Sequence, residues 1–151
     1  YMAIEYFSSP IGLLEIKANE AYILEINKVE NCCSAGEPSS LTALAIAQLK
    51  EYFTGNRTEF ELPLAPNGTD FQKSVWTELI KIPFGKTITY SSLAKAVNKP
   101  KAARAVGSAV GKNPLLIVIP CHRVVAAAGL GGFSAGLETK KILLKHETPE
   151  D

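Results

Sequence analysis

Short apolar runs alternate with turn residues in the first third of the chain. Three such runs, rich in Ile, Leu and Tyr, cover Ala3 to Phe7, Leu13 to Ala18 and Tyr22 to Asn27. Ser8-Ser9-Pro10 separates the first two runs, and Asn19-Glu20 separates the second from the third. Runs of this length between turn residues predict three strands of an antiparallel meander.

A helical period follows the third strand. Apolar residues recur at helical spacing from about Leu41 to Thr54, Ser40 can cap this helix, and Gly55 can end it. The stretch Leu62 to Gly68 then holds two prolines and a glycine. We therefore expect a domain boundary at about 64–68, between an N-terminal α/β domain over residues 1–66 and a second domain over residues 67–151.

The second part of the chain has mostly helical patterns. Thr69-Asp70-Phe71-Gln72 matches a capping box that opens a helix, and Pro83 and Gly85 can end it. Five further segments follow: a short helix from about Ser91 to Val97, the turn Asn98-Lys99-Pro100, a helix from about Lys101 to Val110, a run consistent with a buried strand from Leu115 to Ile119, and a closing helix from Leu137 to His146.

The two helices around Asn98-Lys99-Pro100 have two interpretations. A helix, a brief turn and a second helix within about twenty residues suggest a helix-turn-helix, and an ordinary αα-hairpin in a core fits that spacing equally well. Between Ala102 and Ala109 the side chains are mostly small, whereas helices that read base edges carry Arg, Asn, Gln or Glu. Taken alone, this segment favours tight helix packing. The functional alternative is a close approach to DNA without sequence preference, with Arg104 as a probe into the base stack.

The overall charge hides a division along the chain. The 151 residues sum to a net charge of +1, but residues 1–68 carry four basic against nine acidic side chains, and residues 69–151 twelve against six. Such asymmetry points to contact with nucleic acid or a membrane. The longest strongly apolar run, Leu115 to Ile119, is far shorter than the roughly 20 residues that span a bilayer, and no signal peptide pattern is present. Nucleic acid is therefore the favoured partner, and no membrane contact is expected.

Three cysteines and two histidines limit the metal and disulfide chemistry. Cys32, Cys33 and Cys121 are an odd number and form no CxxC motif. They predict neither a disulfide framework nor a zinc site, and they fit a reducing, cytoplasmic setting. No cofactor motif appears along the chain, so we expect no cofactor.

Cys121 is the candidate nucleophile, in the motif Pro120-Cys121-His122-Arg123-Val124. A cysteine near its reference pKa of about 8.5 is only a few per cent ionised at neutral pH, and a neighbouring base or cation increases the thiolate fraction. Neighbours on an extended segment point to opposite sides, so His122 needs a turn or a bridging water to take the thiol proton. Glu147 is a candidate to orient His122. A small buried cysteine beside a histidine by chance fits the residue types equally well.

Several blocks in the second half occur together in a fixed order: Gly68-Thr69-Asp70-Phe71-Gln72, Val75-Trp76, Pro83-Phe84-Gly85, Thr89-Tyr90, Ala102-Ala103-Arg104-Ala105-Val106-Gly107, Asn113-Pro114, Ile119-Pro120-Cys121-His122-Arg123-Val124 and Leu143-Leu144-Lys145-His146-Glu147. In these blocks residues 69–151 closely resemble the catalytic domain of the O6-alkylguanine-DNA alkyltransferases, the methylated-DNA–protein-cysteine methyltransferases. Residues 1–64 fit that family only in the order of their elements.

The resemblance implies an α/β fold and a repair reaction. A small N-terminal antiparallel sheet plus helix, ribonuclease H-like, would precede a mostly helical, winged-helix-like domain with a helix-turn-helix. The helix-turn-helix would enter the minor groove of double-stranded DNA without sequence preference, and a damaged base would be flipped out. A monomer would then move a methyl or alkyl group from O6 of guanine, and from O4 of thymine, to Cys121 in one turnover without a cofactor.

The resemblance also assigns roles to residues. The catalytic residues would be Cys121, His122, Glu147, Tyr90 and Asn113. Tyr90 would also contact DNA, and Asn113 would brace the turn between the recognition helix and the active-site strand. The other DNA contacts are Ser92, Lys101, Ala102, Ala103, Arg104, Gly107, Ser108 and Lys112. The substrate pocket would be lined by Val110, Val124 through its carbonyl, Ser134 and Gly136.

Two other functions are compatible with the same residues. A non-catalytic protein that binds alkylated DNA would have no need of Cys121. A helix-turn-helix regulator in which Cys121 senses alkylation would need base-reading side chains, which the second helix lacks. Both are therefore weaker alternatives to alkyl transfer.

Overall fold

The structure is a computed structural model that describes residues 2–32, 36–133 and 135–149. The chain divides into two compact units, Tyr1–Asn67 with Pro114–Leu116, and Gly68–Asn113 with Ile117–Asp151. Residues Pro114–Leu116 belong to the first unit, although the chain on either side of them belongs to the second. No change of composition in the sequence marks these three residues. Among the described residues, no helix is long and apolar enough to cross a membrane.

The first unit is built on an antiparallel sheet. Strands β1 (Ala3–Ser9), β2 (Gly12–Ala18) and β3 (Ile23–Val29) pair in the order β1-β2-β3. In β2 the side chains of Leu14 and Ile16 are fully buried, and Glu15 between them is buried as well. The predicted meander is thus confirmed; β1 and β3 end two residues later than their apolar runs, and β2 ends at Ala18 as predicted.

Helix α1 (Ser40–Phe53) follows β3 in the first unit. Ser39, and not the predicted Ser40, caps it: the Ser39 hydroxyl accepts from the Thr42 backbone N–H at 3.3 Å, and the Ser39 N–H donates to the Thr42 hydroxyl at 2.8 Å. Either serine can cap a helix, and the choice depends on the residue three positions further on. Thr42 completes the reciprocal pair for Ser39 only.

The apolar run Leu115 to Ile119 is buried, but the prediction of a strand there is wrong. Leu115 alone forms a bridge, parallel to Ile26 of β3. The Ile26 N–H donates to the Pro114 carbonyl at 2.9 Å, and the Leu116 N–H donates to the Ile26 carbonyl at 3.0 Å. At Ile117 the backbone has φ of 73° and turns away. An apolar run of this length signals burial, but it does not define the backbone conformation.

The second unit is mostly helical. Its elements are α2 (Asp70–Ile80), β4 (Ile88–Thr89), α3 (Tyr90–Ala96), α4 (Ala103–Gly111), a 3₁₀ turn (Cys121–Arg123), β5 (Val124–Val125) parallel to β4, and α5 (Leu137–Glu147). The predicted capping box of α2 is confirmed, since Thr69 and Gln72 exchange both side-chain–backbone hydrogen bonds.

Helices α3 and α4 form the predicted helix-turn-helix. Asn98 lies in the turn with φ of 61°, a conformation that Asn tolerates better than most residues. Along α4 the side chains of Val106, Ala109 and Val110 are buried, and Trp76 of α2 donates its indole N–H to the Ala109 carbonyl at 2.9 Å. The small residues of α4 therefore serve packing on one face, and its other face is exposed.

Candidate active site

Cys121 begins the 3₁₀ turn, and its side chain is buried. The sequence predicts an extended segment here, on which Cys121 and His122 would point to opposite sides. The 3₁₀ turn removes that constraint, because successive side chains turn through about a third of a circle. His122 is fully buried, and its Nδ1 has no hydrogen-bond partner in the described part of the chain.

The Glu147 carboxylate collects four hydrogen bonds at the end of α5. His122 Nε2 lies 2.7 Å from Oε2, Arg123 Nε donates to Oε1 at 2.7 Å and its Nη2 to Oε2 at 2.9 Å, and the Gly85 N–H donates to Oε1 at 3.3 Å. An ionised carboxylate only accepts hydrogen bonds, so His122 carries its proton on Nε2. Nδ1 therefore presents a free lone pair, as a general base requires.

Arg123 is a site residue whose role the sequence does not reveal. It pairs with Glu147 through two nitrogens, and its third nitrogen, Nη1, donates to the Ile82 carbonyl at 2.6 Å. The sequence suggests Arg123 as a cation that favours the thiolate. The structure instead places its charge against Glu147, where it compensates a buried carboxylate.

Burial sets the protonation state of the two central groups. It raises the pKa of the Cys121 thiol to about 11, although hydrogen bonding by the Asn113 side chain and the charge of Lys140 oppose this. Burial also lowers the pKa of His122, against the effect of Glu147. At neutral pH the site therefore holds a neutral thiol beside a neutral imidazole.

Lys140 is a second residue that sequence reasoning missed. Its side chain is fully buried in α5, and Nζ donates to the carbonyls of Val124 at 2.6 Å, Gly132 at 3.0 Å and Leu130. Burial lowers the pKa of Lys140, and the charge of Cys121 opposes that shift. The signal in the sequence is a lysine at a core position of α5, three residues before the buried Leu143 and seven before Glu147.

Asn113 and Tyr90 each form a side-chain hydrogen bond to a backbone carbonyl in the second unit. The Asn113 side chain donates to the Ile119 carbonyl at 2.7 Å and so braces the turn before Cys121. The Tyr90 hydroxyl donates to the Gly132 carbonyl at 3.4 Å, and burial raises the pKa of Tyr90, with a further contribution from the charge of Cys121. Gly131 has φ of 74°, and a Cβ there would approach the Tyr90 ring to 2.9 Å.

A cavity of about 210 Å³ lies beside Tyr90. Its lining consists of Tyr90, Gly107, Val110, Gly111, Gly132 and Phe133. Of the predicted pocket residues, Val110 lines this cavity, whereas Val124 is buried and Gly136 precedes α5 without lining it. The prediction for Ser134 falls outside the described residues. Gly111, Gly132 and Phe133 were not anticipated.

The predicted DNA contacts differ in their exposure to solvent. Ser92, Lys101, Arg104, Ser108 and Lys112 are exposed, and Ala102, Ala103 and Gly107 are half-buried. Within residues 2–32, 36–133 and 135–149, none of the three cations among them forms an ion pair. Their charges are available to an anionic partner.

No group of three or more His, Cys, Asp or Glu side chains among the described residues could hold a metal ion. Cys32 is exposed, and the prediction for Cys33 falls outside the described residues.

Fold and site define an α/β DNA-binding protein with a buried Cys–His–Glu arrangement in the same unit as a helix-turn-helix. Residues 70–149 match the family model described as 6-O-methylguanine DNA methyltransferase, DNA binding domain. Residues 2–66 match the model of the ribonuclease-like domain of the same family. The chain belongs to the 6-O-methylguanine DNA methyltransferase family.

Individual relatives agree with this assignment. The chain is 44% identical over 154 residues to a methylated-DNA–protein-cysteine methyltransferase of Methanosarcina acetivorans, with 97% of each chain covered. The solved structure of Mycobacterium tuberculosis OGT in complex with DNA superposes with a TM-score of 0.88 at 38% identity, over 96% of this chain and 92% of that one. The M. tuberculosis O6-methylguanine methyltransferase structure gives 0.87 at 36% identity, over 100% and 97%. The predicted α/β fold with a ribonuclease-like N-terminal part is confirmed.

The raised pKa of Cys121 predicts a loss of stability at alkaline pH. Between 9.0, the value for an unburied thiol, and about 11, the unfolded chain has lost the proton that the folded chain keeps. The contribution of Cys121 to the free energy of unfolding is therefore fully present below pH 9.0. It is lost as the pH rises towards 11, by roughly 2–3 kcal/mol in total. Urea unfolding at several pH values should show this loss in the wild type but not in Cys121→Ala. Parallel curves for the two proteins would contradict the assigned shift.

Proposed function

We propose that this chain repairs alkylated DNA by direct reversal, with Cys121 as the acceptor. A methyl or larger alkyl group moves from O6 of guanine, or O4 of thymine, to the Cys121 sulfur in a single turnover. The observation that carries this proposal is the buried Cys121 beside a histidine whose Nε2 is held by Glu147 and whose Nδ1 is unpaired. Membership of the family and the DNA complex of the M. tuberculosis relative support it.

The transfer is an in-line displacement at the alkyl carbon. A bond forms between the Cys121 sulfur and that carbon as the carbon–O6 bond breaks, and the electron pair of that bond leaves on guanine. The thiol proton goes to His122 Nδ1, directly or through one water, and the guanine oxyanion takes up a proton from solvent or a nearby donor. The product thioether is not cleaved by water at neutral pH. One protein molecule therefore repairs one base.

The proton transfer turns two neutral buried groups into a pair of ions. A thiolate and an imidazolium in a site that excludes water attract each other strongly. Glu147 stabilises the imidazolium at 2.7 Å, as the acid does in a catalytic triad. Lys140 is the cation whose charge lowers the pKa of Cys121, so it stabilises the thiolate side.

The cavity beside Tyr90 is the proposed place of the flipped base. Its glycines, Gly107, Gly111 and Gly132, present little side-chain bulk, and Tyr90 and Phe133 provide aromatic surface. The Tyr90 hydroxyl, with a raised pKa, remains protonated and can donate to the base as negative charge develops on it.

DNA engagement is assigned to residues 67–151, and residues 1–66 form the separate N-terminal α/β domain. The exposed face of α4 enters the minor groove, and Arg104 takes the place of the extruded base in the stack. Flipping costs a few kcal/mol of lost stacking, which phosphate contacts from Lys101 and Lys112 offset. A non-catalytic protein that binds alkylated DNA and a helix-turn-helix regulator do not need the Cys–His–Glu arrangement. Alkyl transfer is therefore the function favoured.

A single chain contains every residue of this proposal, so we assign the activity to a monomer. A reducing, cytoplasmic setting keeps the Cys121 thiol available. Gel filtration of the free protein and of its complex with a short duplex tests the stoichiometry, and a dimer that alone transfers the group would contradict the monomer.

Cys121 as acceptor is tested by following the alkyl group. We expect a duplex with one isotopically labelled O6-methylguanine to leave its label on the peptide that contains Cys121, detected by mass spectrometry. Cys121→Ser should abolish transfer because the hydroxyl is a much weaker nucleophile at neutral pH. Cys32→Ser, at the exposed free cysteine, is the matched control and should transfer normally. Label on another residue, or transfer by Cys121→Ser, would refute the assignment.

His122 as base predicts a particular pH dependence. His122→Gln should slow transfer from a free O6-alkylguanine base by about 10²-fold or more near neutral pH. Its rate should then rise about tenfold per pH unit towards the raised pKa of Cys121, about 11, because hydroxide must ionise the thiol instead. The wild-type rate should rise less steeply. His146→Gln, at the other histidine, is the control and should keep the wild-type profile, whereas a pH-independent defect in His122→Gln would indicate a purely structural role.

Arg104 and Lys112 are expected to act in different ways on DNA. Arg104→Ala should lower the rate of transfer from duplex DNA but leave transfer from the free base unchanged, since only the duplex needs a base to be extruded. Lys112→Ala should weaken duplex binding and reduce the slope of log affinity against log salt by about 0.9, because one phosphate contact is lost. Fluorescence anisotropy over a salt series and single-turnover rates separate the two effects. Identical behaviour of the two variants would contradict the distinct roles.

A further inference from the structure

The path of the chain just before Cys121 is unusual. At Pro114 the backbone joins the edge of β3, where it is held by the two hydrogen bonds to Ile26, of 2.9 and 3.0 Å. Leu115 and Ile26 are both fully buried. By Ile117 the chain is again part of the second unit, four residues before the nucleophile. We call residues 114–116 the bridging segment.

Ile117 is the turning point of this path. A β-branched residue at φ of 73° is a genuine outlier, because its Cβ crowds the backbone in the left-handed region. The Ile117 side chain is only 1% exposed, so the conformation is fixed in a packed interior. Such strain persists only where the surroundings over-determine the backbone, and it concentrates at functional sites.

The chain beyond Ile117 is held at short intervals up to the nucleophile. Asn113 donates to the Ile119 carbonyl at 2.7 Å, the Cys121 N–H donates to the same carbonyl at 2.8 Å, and the Arg123 N–H donates to the Pro120 carbonyl at 3.0 Å. Residues 114–116 are held before Ile117, and residues 119–123 are held after it. The backbone at Cys121 therefore depends on the conformation at Ile117.

We propose that the bridging segment is a positioning element for Cys121, with Ile117 as its pivot. The inference rests on the proposed function, in which the Cys121 sulfur attacks an alkyl carbon in line with its leaving oxygen. In-line attack is sensitive to placement, since a displacement of about 1 Å can cost about a hundredfold in rate. Pairing with β3 holds Ile117 in its strained conformation. Loss of that pairing lets Ile117 relax and moves the residues that follow it.

The chain offers a matched control on the same strand. Ile23 of β3 is held in the same way by residues 63–65: the Ile23 N–H donates to the Pro63 carbonyl at 2.8 Å, and the Ala65 N–H donates to the Ile23 carbonyl at 3.1 Å. Leu64 forms a parallel bridge there, as Leu115 does at Ile26. This second clamp has the same geometry, but the chain that continues from it does not lead directly to Cys121.

The test replaces one backbone N–H by an ester oxygen in each clamp. The α-hydroxy acid analogue of leucine at position 116 removes the donor to Ile26, and the analogue of alanine at position 65 removes the donor to Ile23. We expect the ester at 116 to lower the maximal rate of transfer at saturating DNA by about tenfold, and the ester at 65 to change it by less than about twofold. Half-saturating DNA concentrations should stay unchanged, and the two melting temperatures should fall by similar amounts.

Side-chain variants give a second comparison that does not depend on ester chemistry. Ile26→Val and Ile23→Val each remove one methyl group from a fully buried residue of β3. The first should slow the maximal rate more than the second at similar loss of stability. Equal rates in each matched pair overturn the positioning role, while label transfer to Cys121 in the wild type leaves the proposed function intact. Failure of the wild type to label Cys121 would refute both.

Discussion

The buried carboxylate of Glu147 is the constraint on which the second unit depends. It stands at the last residue of α5 and accepts hydrogen bonds from His122 and Arg123 in the 3₁₀ turn and from the Gly85 backbone, which follows α2. A buried carboxylate is costly unless it is paired and fully hydrogen-bonded, and Arg123 supplies the balancing charge through two nitrogens. The hydrogen bonds that offset the cost of burying the Glu147 carboxylate therefore also hold α5 against the 3₁₀ turn. They also fix the tautomer of His122, so stability and chemistry share one set of hydrogen bonds.

Burial shifts the pKa values of Cys121 and His122 in opposite directions. It raises the pKa of Cys121 and lowers that of His122, so each is driven to its neutral form. A permanently ionised thiolate would react with many electrophiles, whereas a buried neutral thiol is activated only when its proton can move to a base. Lys140, fully buried and anchored to three carbonyls, adds positive charge without being exposed to competing anions. The resting Cys121 thiol therefore reacts slowly with unspecific electrophiles. This selectivity suits a protein whose acceptor cysteine reacts only once.

Local signals predicted much of this structure, and non-local pairing explains the rest. The strands of the first unit, the capping box at Thr69 and the order of helices follow from neighbours within a few residues, and they were predictable for that reason. The choice of Ser39 over Ser40 depended on one side chain three residues away. The roles of Arg123 and Lys140 depend on partners 24 and 16 residues distant along the chain, in Glu147 and Val124. The hydrophobic periodicity of the sequence does not indicate such contacts. It does not indicate the bridge between Leu115 and Ile26 either.

The charge of residues 69–151 takes on a different meaning once burial is known. Arg123 and Lys140 are two of its twelve cations, and both are buried against groups of the same unit, so neither is available to phosphate. The positive surface that can meet DNA is correspondingly smaller than the count of side chains implies, and the exposed cations of the helix-turn-helix, among them Lys101, Arg104 and Lys112, are part of it. Because affinity from counterion release scales with the number of phosphates neutralised, a surface of this size favours moderate, salt-sensitive binding. The α4 face has small side chains that offer few donors to base edges, so DNA binding through this face would discriminate little between sequences.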